Sequence, residues 1–238
     1  MQNKVSARIS IVVPVLNELK TLTSKYDYFR QIEAGECELI FVDGGSSDGS
    51  GDFLKSHFRN VYFSAAGRAT QMNLGAAQAT GRLLLFLHVD TYLPLLSLSA
   101  IAQAKSGGFC LLHLTGQARI FRLIERGINW RSRVFKVATG DQCLFFESGV
   151  FKRLGGYPDQ PLMEDIELAR RFKKIASPTI IKAAVTSSSR RWEKHGVLKT
   201  VLLMWWLQLL YRLGVSPHRL ARYYLGRPAT NQSEKTPQ

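Results

Sequence analysis

The sequence has few cysteines, and their placement excludes several classes of protein. It contains only Cys37, Cys110 and Cys143 in 238 residues. These three are far apart, odd in number and without the paired spacing of zinc ligands, which argues against a disulfide scaffold and a cysteine-based metal site. We interpret them as buried thiols of a protein in a reducing, cytoplasmic compartment.

Acidic residues are almost missing from the C-terminal third. Residues 170–228 contain 13 lysines and arginines but a single acid, Glu193, whereas residues 1–118 contain 10 basic and 9 acidic residues. Most of the net charge of +14 therefore lies in one region, which predicts an anionic partner or, alternatively, a solvated basic face. Because the region lacks zinc spacing, an RNP-like aromatic sheet and an evident helix-turn-helix, we expect no nucleic-acid partner.

Long apolar runs are also missing. Val197–Tyr211 is nearly apolar on all sides, but it contains Lys199 and Gln208 and is shorter than the roughly 20 residues that span a bilayer. Residues 1–8 are polar and the next apolar run contains Pro14, so we expect no signal peptide. An apolar helix must be covered by protein or by lipid. We predict peripheral contact with the anionic inner face of a membrane, and packing of this helix over the protein is the alternative.

What the sequence does contain is a regular alternation of strand and helix patterns. The order β-α-β-α-β-α-β over the first strands predicts an α/β fold with a mostly parallel central sheet flanked by helices. The strand patterns are 9–14, 38–42, 61–63, 83–87, 107–114 and 143–146, and the longer helix patterns are 18–33, 68–80, 118–137, 164–175, 197–211 and 216–225. We predict one domain over 1–193, a helical C-terminal extension over 194–228 and a disordered tail over 229–238.

Polar residues follow three of these strands. Asn17 and Glu18 follow the first, Asp43 follows the second, and His88 and Asp90 follow the fourth. Ligands of open α/β sheets bind at the carboxyl ends of the strands, where one carboxylate together with substrate phosphates can hold Mg²⁺. His88 and Asp90 are two residues apart, so in extended chain their side chains point the same way. The alternative for Asp90 is a turn aspartate. No glycine-rich dinucleotide or P-loop motif follows the first strand.

Five short motifs in this order resemble those of the family-2 glycosyltransferases, which have the GT-A fold. They are Pro14…Asn17-Glu18, Asp43-Gly44-Gly45-Ser46, His88-Val89-Asp90, Gly140-Asp141 and Glu164-Asp165. The resemblance covers about residues 8 to 193. In 68–73, 85–91 and 190–193 the sequence is most similar to a bacterial subgroup called radical-SAM/selenodomain-associated glycosyltransferases.

The resemblance implies a role for each motif. Pro14, Asn17 and Glu18 would line the nucleotide of a nucleoside-diphosphate sugar, Asp43 would bind its base, usually uracil, and Arg68 would reach its phosphates. Asp90, with His88 beside it, would ligate Mg²⁺ or Mn²⁺. The further implied residues are Asp165 as catalytic base with Glu164 as the second candidate, and Gly140, Asp141, Arg190, Arg191 and Trp192 on the acceptor or phosphate side.

Two departures from the family pattern matter. His88 replaces the first aspartate of the D-x-D motif, and an imidazole is a weaker ligand than a carboxylate for a hard cation. Ser188 stands where processive relatives have the glutamine of Q-x-x-R-W, so we do not infer a polymerase. One base without a second catalytic carboxylate predicts a single displacement with inversion. The acceptor is unspecified, although the apolar residues between 107 and 210 favour one with a hydrophobic part.

Three other functions compete with this interpretation. A sugar-1-phosphate nucleotidyltransferase usually has a glycine-rich basic loop after strand one, where this sequence has Val15-Leu16-Asn17-Glu18. A basic nucleic-acid-binding protein is suggested by charge alone. A non-catalytic nucleotide-sugar-binding protein would not need both Asp90 and Asp165.

Overall fold

The computed structural model describes residues 9–189 and 196–225. Within them a seven-stranded sheet forms the centre of the molecule. Its strands are β1 (Ile9–Val15), β2 (Glu38–Asp43), β3 (Asn60–Phe63), β4 (Leu83–Phe86), β5 (Gly107–Leu114), β6 (Phe145–Glu147) and β7 (Thr179–Ser187).

Helices cover both faces of this sheet. In chain order they are α1 (Leu19–Ser24), α2 (Tyr26–Ala34), α3 (Ser50–His57), α4 (Arg68–Gln78), α5 (Ser97–Ala102), α6 (Arg119–Phe135), α7 (Ser148–Arg153), α8 (Glu164–Ile175), α9 (Val197–Arg212) and α10 (Pro217–Leu225). A 3₁₀ turn at Gly140–Gln142 precedes β6.

The strand order is β3-β2-β1-β4-β6-β5-β7. The pairs β3–β2, β2–β1, β1–β4 and β5–β7 are parallel, whereas the short β6 runs antiparallel to both β4 and β5. The predicted α/β fold with a mostly parallel sheet is therefore confirmed.

The apolar strand runs arise because both faces of the sheet are buried. Successive side chains of a strand point to opposite faces. Accordingly Ile11 and Val13 of β1 join a core cluster with Phe29 on one face, while Val12 joins Phe86 on the other. Burial on both faces produces continuous rather than alternating hydrophobicity, as expected for strands under two helical layers.

Several predicted boundaries are wrong, and local structure explains them. The helix expected over 18–33 is two helices that meet at Lys25. The helix α4 ends at Gln78 rather than at Gly81. Strand β4 stops at Phe86, and the amide of Thr91 donates to the carbonyl of His88 at 2.9 Å, which closes a turn. The expectation that His88 and Asp90 point the same way assumed extended chain, so it does not apply to this turn.

The two C-terminal helices pack on the protein near the start of α8. Leu207 of α9 and Leu220 of α10 are buried together with Met163, the residue before α8. The hydroxyl of Tyr211 donates to Glu167 Oε2 at 3.2 Å, a second contact between α9 and α8. None of the helices within residues 9–189 and 196–225 has the length and hydrophobicity needed to span a membrane.

Candidate functional site

The loops after β1 and β2 are joined by hydrogen bonds. The backbone amide of Asn17 donates to Ser46 Oγ at 2.8 Å, and the amide of Ser47 donates to Asn17 Oδ1 at 2.8 Å. Asn17 has a φ of 54°, a left-handed conformation that asparagine tolerates better than most residues. The first two sequence motifs therefore form one connected surface at the end of the sheet.

Asp43 ends β2 below this surface and is only 2% exposed. Its carboxylate accepts a hydrogen bond from the amide of Ser46 at 3.2 Å and another from the Ser46 hydroxyl. A methyl group added at Gly51 would lie 2.9 Å from Asp43 Oδ2, so the absence of a side chain at Gly51 leaves room for this carboxylate. A carboxylate has about four acceptor positions, which leaves capacity for a ligand.

Pro14 and Glu18 lie on either side of this loop. Pro14 is inside β1, paired with Val42, rather than in the loop itself. Glu18 precedes α1: its amide donates to Ser50 Oγ at 2.9 Å, and its carboxylate accepts from the Thr21 hydroxyl. Pro14 thus supports the loop through strand pairing, and Glu18 supports it through these two hydrogen bonds.

Gln71 is a residue of this region to which the sequence assigned no role. Its buried side-chain amide donates to the carbonyls of Val15 at 2.7 Å and of Val42 at 2.8 Å, so α4 joins the ends of β1 and β2. A buried polar group is costly unless it is hydrogen-bonded. In the sequence, the feature that could have indicated this role is a glutamine among the small and apolar residues of a helix pattern.

His88, Gly140 and Asp165 meet although they are far apart in the chain. The amide of Gly140 donates to Asp165 Oδ2 at 2.6 Å. A methyl group added at Gly140 would lie 2.9 Å from His88 Nε2 and 3.3 Å from Asp165 Oδ2. A larger residue at position 140 would therefore displace the His88 ring or the Asp165 carboxylate from this close approach.

The His88 ring is neutral. Burial, with a smaller contribution from the positive charge of Arg68, lowers the pKa of its imidazole from 6.5 to about 3. A neutral imidazole keeps one nitrogen lone pair that can accept a hydrogen bond or bind a metal.

Asp90 lies in the turn after β4, within electrostatic reach of Arg68. Within residues 9–189 and 196–225 no group donates a hydrogen bond to its carboxylate. Within the same residues no three His, Cys, Asp or Glu side chains are placed to hold a metal ion by themselves. Asp90 therefore fits Mg²⁺ or Mn²⁺ only as one ligand of a set that a diphosphate completes, since Mg²⁺ keeps few protein ligands. The neutral ring of His88 offers a lone pair as a further candidate ligand.

An ion pair connects α4 to α8. Arg68 Nη1 lies 3.5 Å from Glu164 Oε1, and the Arg68 side chain is 51% exposed whereas that of Glu164 is 4% exposed. Burial opposes the charge of Arg68, but the carboxylates of Glu164, Asp165 and Asp90 outweigh it and raise the pKa of the guanidinium. Arg68 is thus a fixed cation with an exposed side, next to three acids.

In Glu164 the surroundings favour the neutral form, whereas in Arg68 they favour the charged form. Burial, and next the charge of Asp165, raise its pKa from 4.5 to about 7, although Arg68 opposes the shift. The folded protein therefore binds a proton at Glu164 over a pH range in which the unfolded chain has released it.

Asp141 lies on the other side of Asp165. Its carboxylate accepts a hydrogen bond from the Thr139 hydroxyl, and burial, reinforced by the charge of Asp165, raises its pKa. Arg131 of α6 is a compensating positive charge that the sequence analysis did not single out. Burial lowers the pKa of its guanidinium, and the charges of Asp141 and Asp165 oppose this shift.

The predicted site residues Arg190, Arg191 and Trp192 lie outside the described residues.

The raised pKa of Glu164 predicts a specific dependence of stability on pH. Because the folded state binds the extra proton, the free energy of unfolding should fall as pH rises from about 4.5 to about 7. Glu164→Gln removes this proton, so the variant should gain stability relative to the original protein across that window. Urea unfolding at a series of pH values measures the difference. The control is Glu36→Gln, which alters an exposed glutamate and should show the same pH dependence of stability as the original protein. If the stability of Glu164→Gln fell with pH as steeply as that of the original protein, the assignment would be contradicted.

Comparisons with known proteins point to one family. Residues 10–108 match the family described as "Glycosyl transferase family 2". The chain is 29% identical over 163 residues to a "PGL/p-HBAD biosynthesis glycosyltransferase" of Mycobacterium tuberculosis, a match that covers 62% of this chain and 62% of that protein. It is also 29% identical over 196 residues to an "uncharacterized glycosyltransferase" of the same species, covering 74% and 73%. The chain thus spans less than two thirds of the length of the curated relatives that it matches first.

Solved structures show the same fold. A mannosyltransferase from Pyrobaculum calidifontis, in complex with GDP-Man and Mn²⁺, superimposes with a TM-score of 0.58 at 20% identity, covering 78% of this chain and 57% of that one. Glucosyl-3-phosphoglycerate synthase from Mycobacterium tuberculosis, in complex with Mg²⁺ and UDP, gives 0.53 at 17% identity, covering 78% and 71%.

Proposed function

Since this chain belongs to the family-2 glycosyltransferases and has the GT-A fold, we propose that it transfers a sugar from a nucleoside-diphosphate sugar, most simply a UDP-sugar, to a hydroxyl acceptor. Within the family, the narrower resemblance to the radical-SAM/selenodomain-associated subgroup stays a prediction.

One observation supports the proposal above the others: His88, Gly140 and Asp165 converge from three separate segments at the ends of the strands. This cluster lies next to the ion pair of Arg68 with Glu164. A carboxylate base, a cation and a candidate metal ligand are thus close to one another. Proton abstraction and stabilisation of an anionic leaving group need these groups together.

In the proposed reaction Asp165 takes the proton of the acceptor hydroxyl. The new bond joins the acceptor oxygen to the anomeric carbon of the sugar, while the bond from that carbon to the phosphate oxygen breaks and its electron pair leaves with the diphosphate. Each oxygen of Asp165 accepts one backbone amide, from Gly140 at 2.6 Å and from Ile166 at 2.7 Å. Each therefore keeps a lone pair for the proton. A single displacement of this kind inverts the anomeric carbon.

The remaining residues would hold the donor. Asp43 and the loop of Asn17 would bind the nucleoside, and Arg68 would face the diphosphate with its exposed side. Asp90, with His88, would hold Mg²⁺ or Mn²⁺, which when bound neutralises charge on the leaving diphosphate. We keep Gly140 and Asp141 on the acceptor side, and retain the division into a domain over 1–193 and an extension from 194 as a proposal.

Nucleotidyl transfer is the second candidate, and the structure of the first loop argues against it. The segment after β1 is fixed by Ser46, Ser47 and Ser50 and has no run of glycine and basic residues that would wrap a triphosphate. Nothing in the site favours nucleic-acid binding over a nucleotide sugar.

Release of nucleoside diphosphate tests the proposal. The protein is incubated with Mn²⁺, one nucleotide sugar at a time, and either water or a detergent-solubilised lipid extract as acceptor. We expect release from one donor, stimulated by the extract and abolished by EDTA. Release of pyrophosphate from a sugar-1-phosphate and a nucleoside triphosphate, without release from any nucleotide sugar, would instead favour nucleotidyl transfer.

A further inference from the structure

Helix α9 exposes apolar side chains along one side. They recur at spacings of three and four residues, which places them on one stripe of a helix. The stripe consists of Leu202, Trp205, Trp206, Leu209 and, directly after the helix, Leu213. The stripe lies opposite Leu207, which is buried against Met163 and Leu220. One side of α9 therefore packs on the protein, and residues 9–189 and 196–225 leave the other side uncovered.

Helix α6 has a similar exposed stripe. Phe121, Glu125 and Ser132 are buried on one side of the helix. Ile120, Leu123, Trp130 and Val134 are exposed on the opposite side. Trp130 is 62% exposed, close to the values of 63% and 57% for Trp205 and Trp206. Large apolar patches are rare on monomeric soluble proteins and usually mark a surface that binds something.

The two stripes belong to neighbouring helices. Arg131 Nη1 of α6 donates to Gln208 Oε1 of α9 at 2.8 Å. Phe135 and Arg212 line the same narrow crevice between the helices. Because this hydrogen bond and this crevice join the two helices, and each helix exposes an apolar stripe, we call the two stripes together the α6–α9 surface.

The helices that form and adjoin this surface are basic. Helices α6, α9 and α10 contain nine lysines and arginines but a single acid, Glu125, which is buried and lies 2.9 Å from Arg122. Arg126 and Arg133 are exposed along one edge of the α6 stripe. Exposed apolar residues that include tryptophan, with cations nearby, are complementary to a leaflet of anionic lipid, in which indole rings favour the interface and cations are attracted to the headgroups.

We propose that the α6–α9 surface docks on an anionic membrane leaflet, with Trp130, Trp205 and Trp206 in the interfacial layer. The bilayer would then lie on the outer side of α9, one helix diameter, or roughly 10 Å, from Met163 and Ile166 next to Asp165. The inference deepens the proposed function by bringing lipid-borne acceptors to the base. Its evidence is separate, since vesicle binding requires neither sugar nor nucleotide.

Vesicle flotation with the full chain tests the docking. We expect the protein to float with vesicles of phosphatidylcholine and phosphatidylglycerol at low salt, and to float less with pure phosphatidylcholine or at high salt, because screening weakens the attraction. Tryptophan emission should shift to shorter wavelength in the bound state. Recovery that is equal with both vesicle types at low salt would overturn the proposal.

Matched variants locate the binding surface. Trp205→Ser with Trp206→Ser should weaken vesicle binding at least about tenfold. Leu96→Ser removes a side chain that is 92% exposed outside this surface and should bind normally. Arg126→Glu with Arg133→Glu should bind less than Lys152→Glu with Arg153→Glu, a pair on α7 that changes the net charge equally.

A second copy of the chain is the other possible occupant of the surface. A concentration-dependent dimer in analytical ultracentrifugation that the tryptophan substitutions dissociate, with no vesicle binding, would overturn the membrane proposal. If the double tryptophan variant fails to fold by circular dichroism, Trp130→Ser on α6 tests the same surface. It should weaken binding as well, and normal binding by a folded Trp130→Ser would contradict the inclusion of α6.

Discussion

Asp165→Asn should reduce the rate of sugar transfer by about a thousandfold while leaving the affinity for the donor nearly unchanged. A positioned general base contributes about 10² to 10⁴ to the rate, and its loss appears in kcat because it acts in the chemical step. The amide oxygen of asparagine can still accept the hydrogen bond from Gly140, so the fold of the site should survive. The measurement is single-turnover product formation, with donor binding measured separately.

Glu167→Gln is the matched control for this substitution. It makes the same carboxylate-to-amide change in the same helical turn, but Glu167 is paired with Arg170 and Arg171 and is not part of the cluster at Gly140. This variant should keep most of its activity. A near-normal kcat in Asp165→Asn would show that another group is the base. Glu164 would be tested first, because its raised pKa allows it to exchange a proton near neutral pH.

Asp90→Ala should abolish the metal-dependent part of donor binding. Asp90 is the one carboxylate proposed to bind the cation, and neutral His88 alone is a poor ligand for Mg²⁺. We expect the dissociation constant in Mn²⁺ to rise at least about tenfold, to the value that the unaltered protein shows in EDTA. Calorimetric titration with and without metal measures both values.

Asp27→Ala provides the comparison for Asp90→Ala, since it removes an exposed aspartate at the start of α2. Its affinity should still depend on metal. If Asp90→Ala also kept a metal-dependent affinity, the cation would have to be held by other groups, and the assignment of the turn after β4 as the metal site would be wrong.

The sequence predicted the layers of the fold and the strand ends that carry the site because both depend on local patterns. Continuous apolar runs mark strands buried on two faces, and the loops after β1 and β2 meet because these parallel strands end at one edge. The antiparallel direction of β6 was not predictable in the same way. This strand has only three residues, and its direction is set by the neighbouring strands β4 and β5.

Other features depend on contacts between distant residues. The turn that begins at His88 is closed by Thr91, and the link between β1 and β2 is made by a glutamine of α4. The packing of α9 on Met163 shows that the basic, apolar C-terminal segment has one side on the protein and one side exposed. The sequence was compatible with both together, since a packed helix can still expose Trp205 or Trp206 at one rim.

The central claim, that the strand ends form a nucleotide-sugar site, is tested most directly by calorimetric titration of the full chain with UDP-, GDP-, dTDP- and CMP-sugars in Mn²⁺. We predict saturable binding of one nucleoside-diphosphate sugar, weakened by EDTA and by Asp90→Ala. Absence of binding by every nucleotide sugar, with metal present and the protein folded, would contradict the claim.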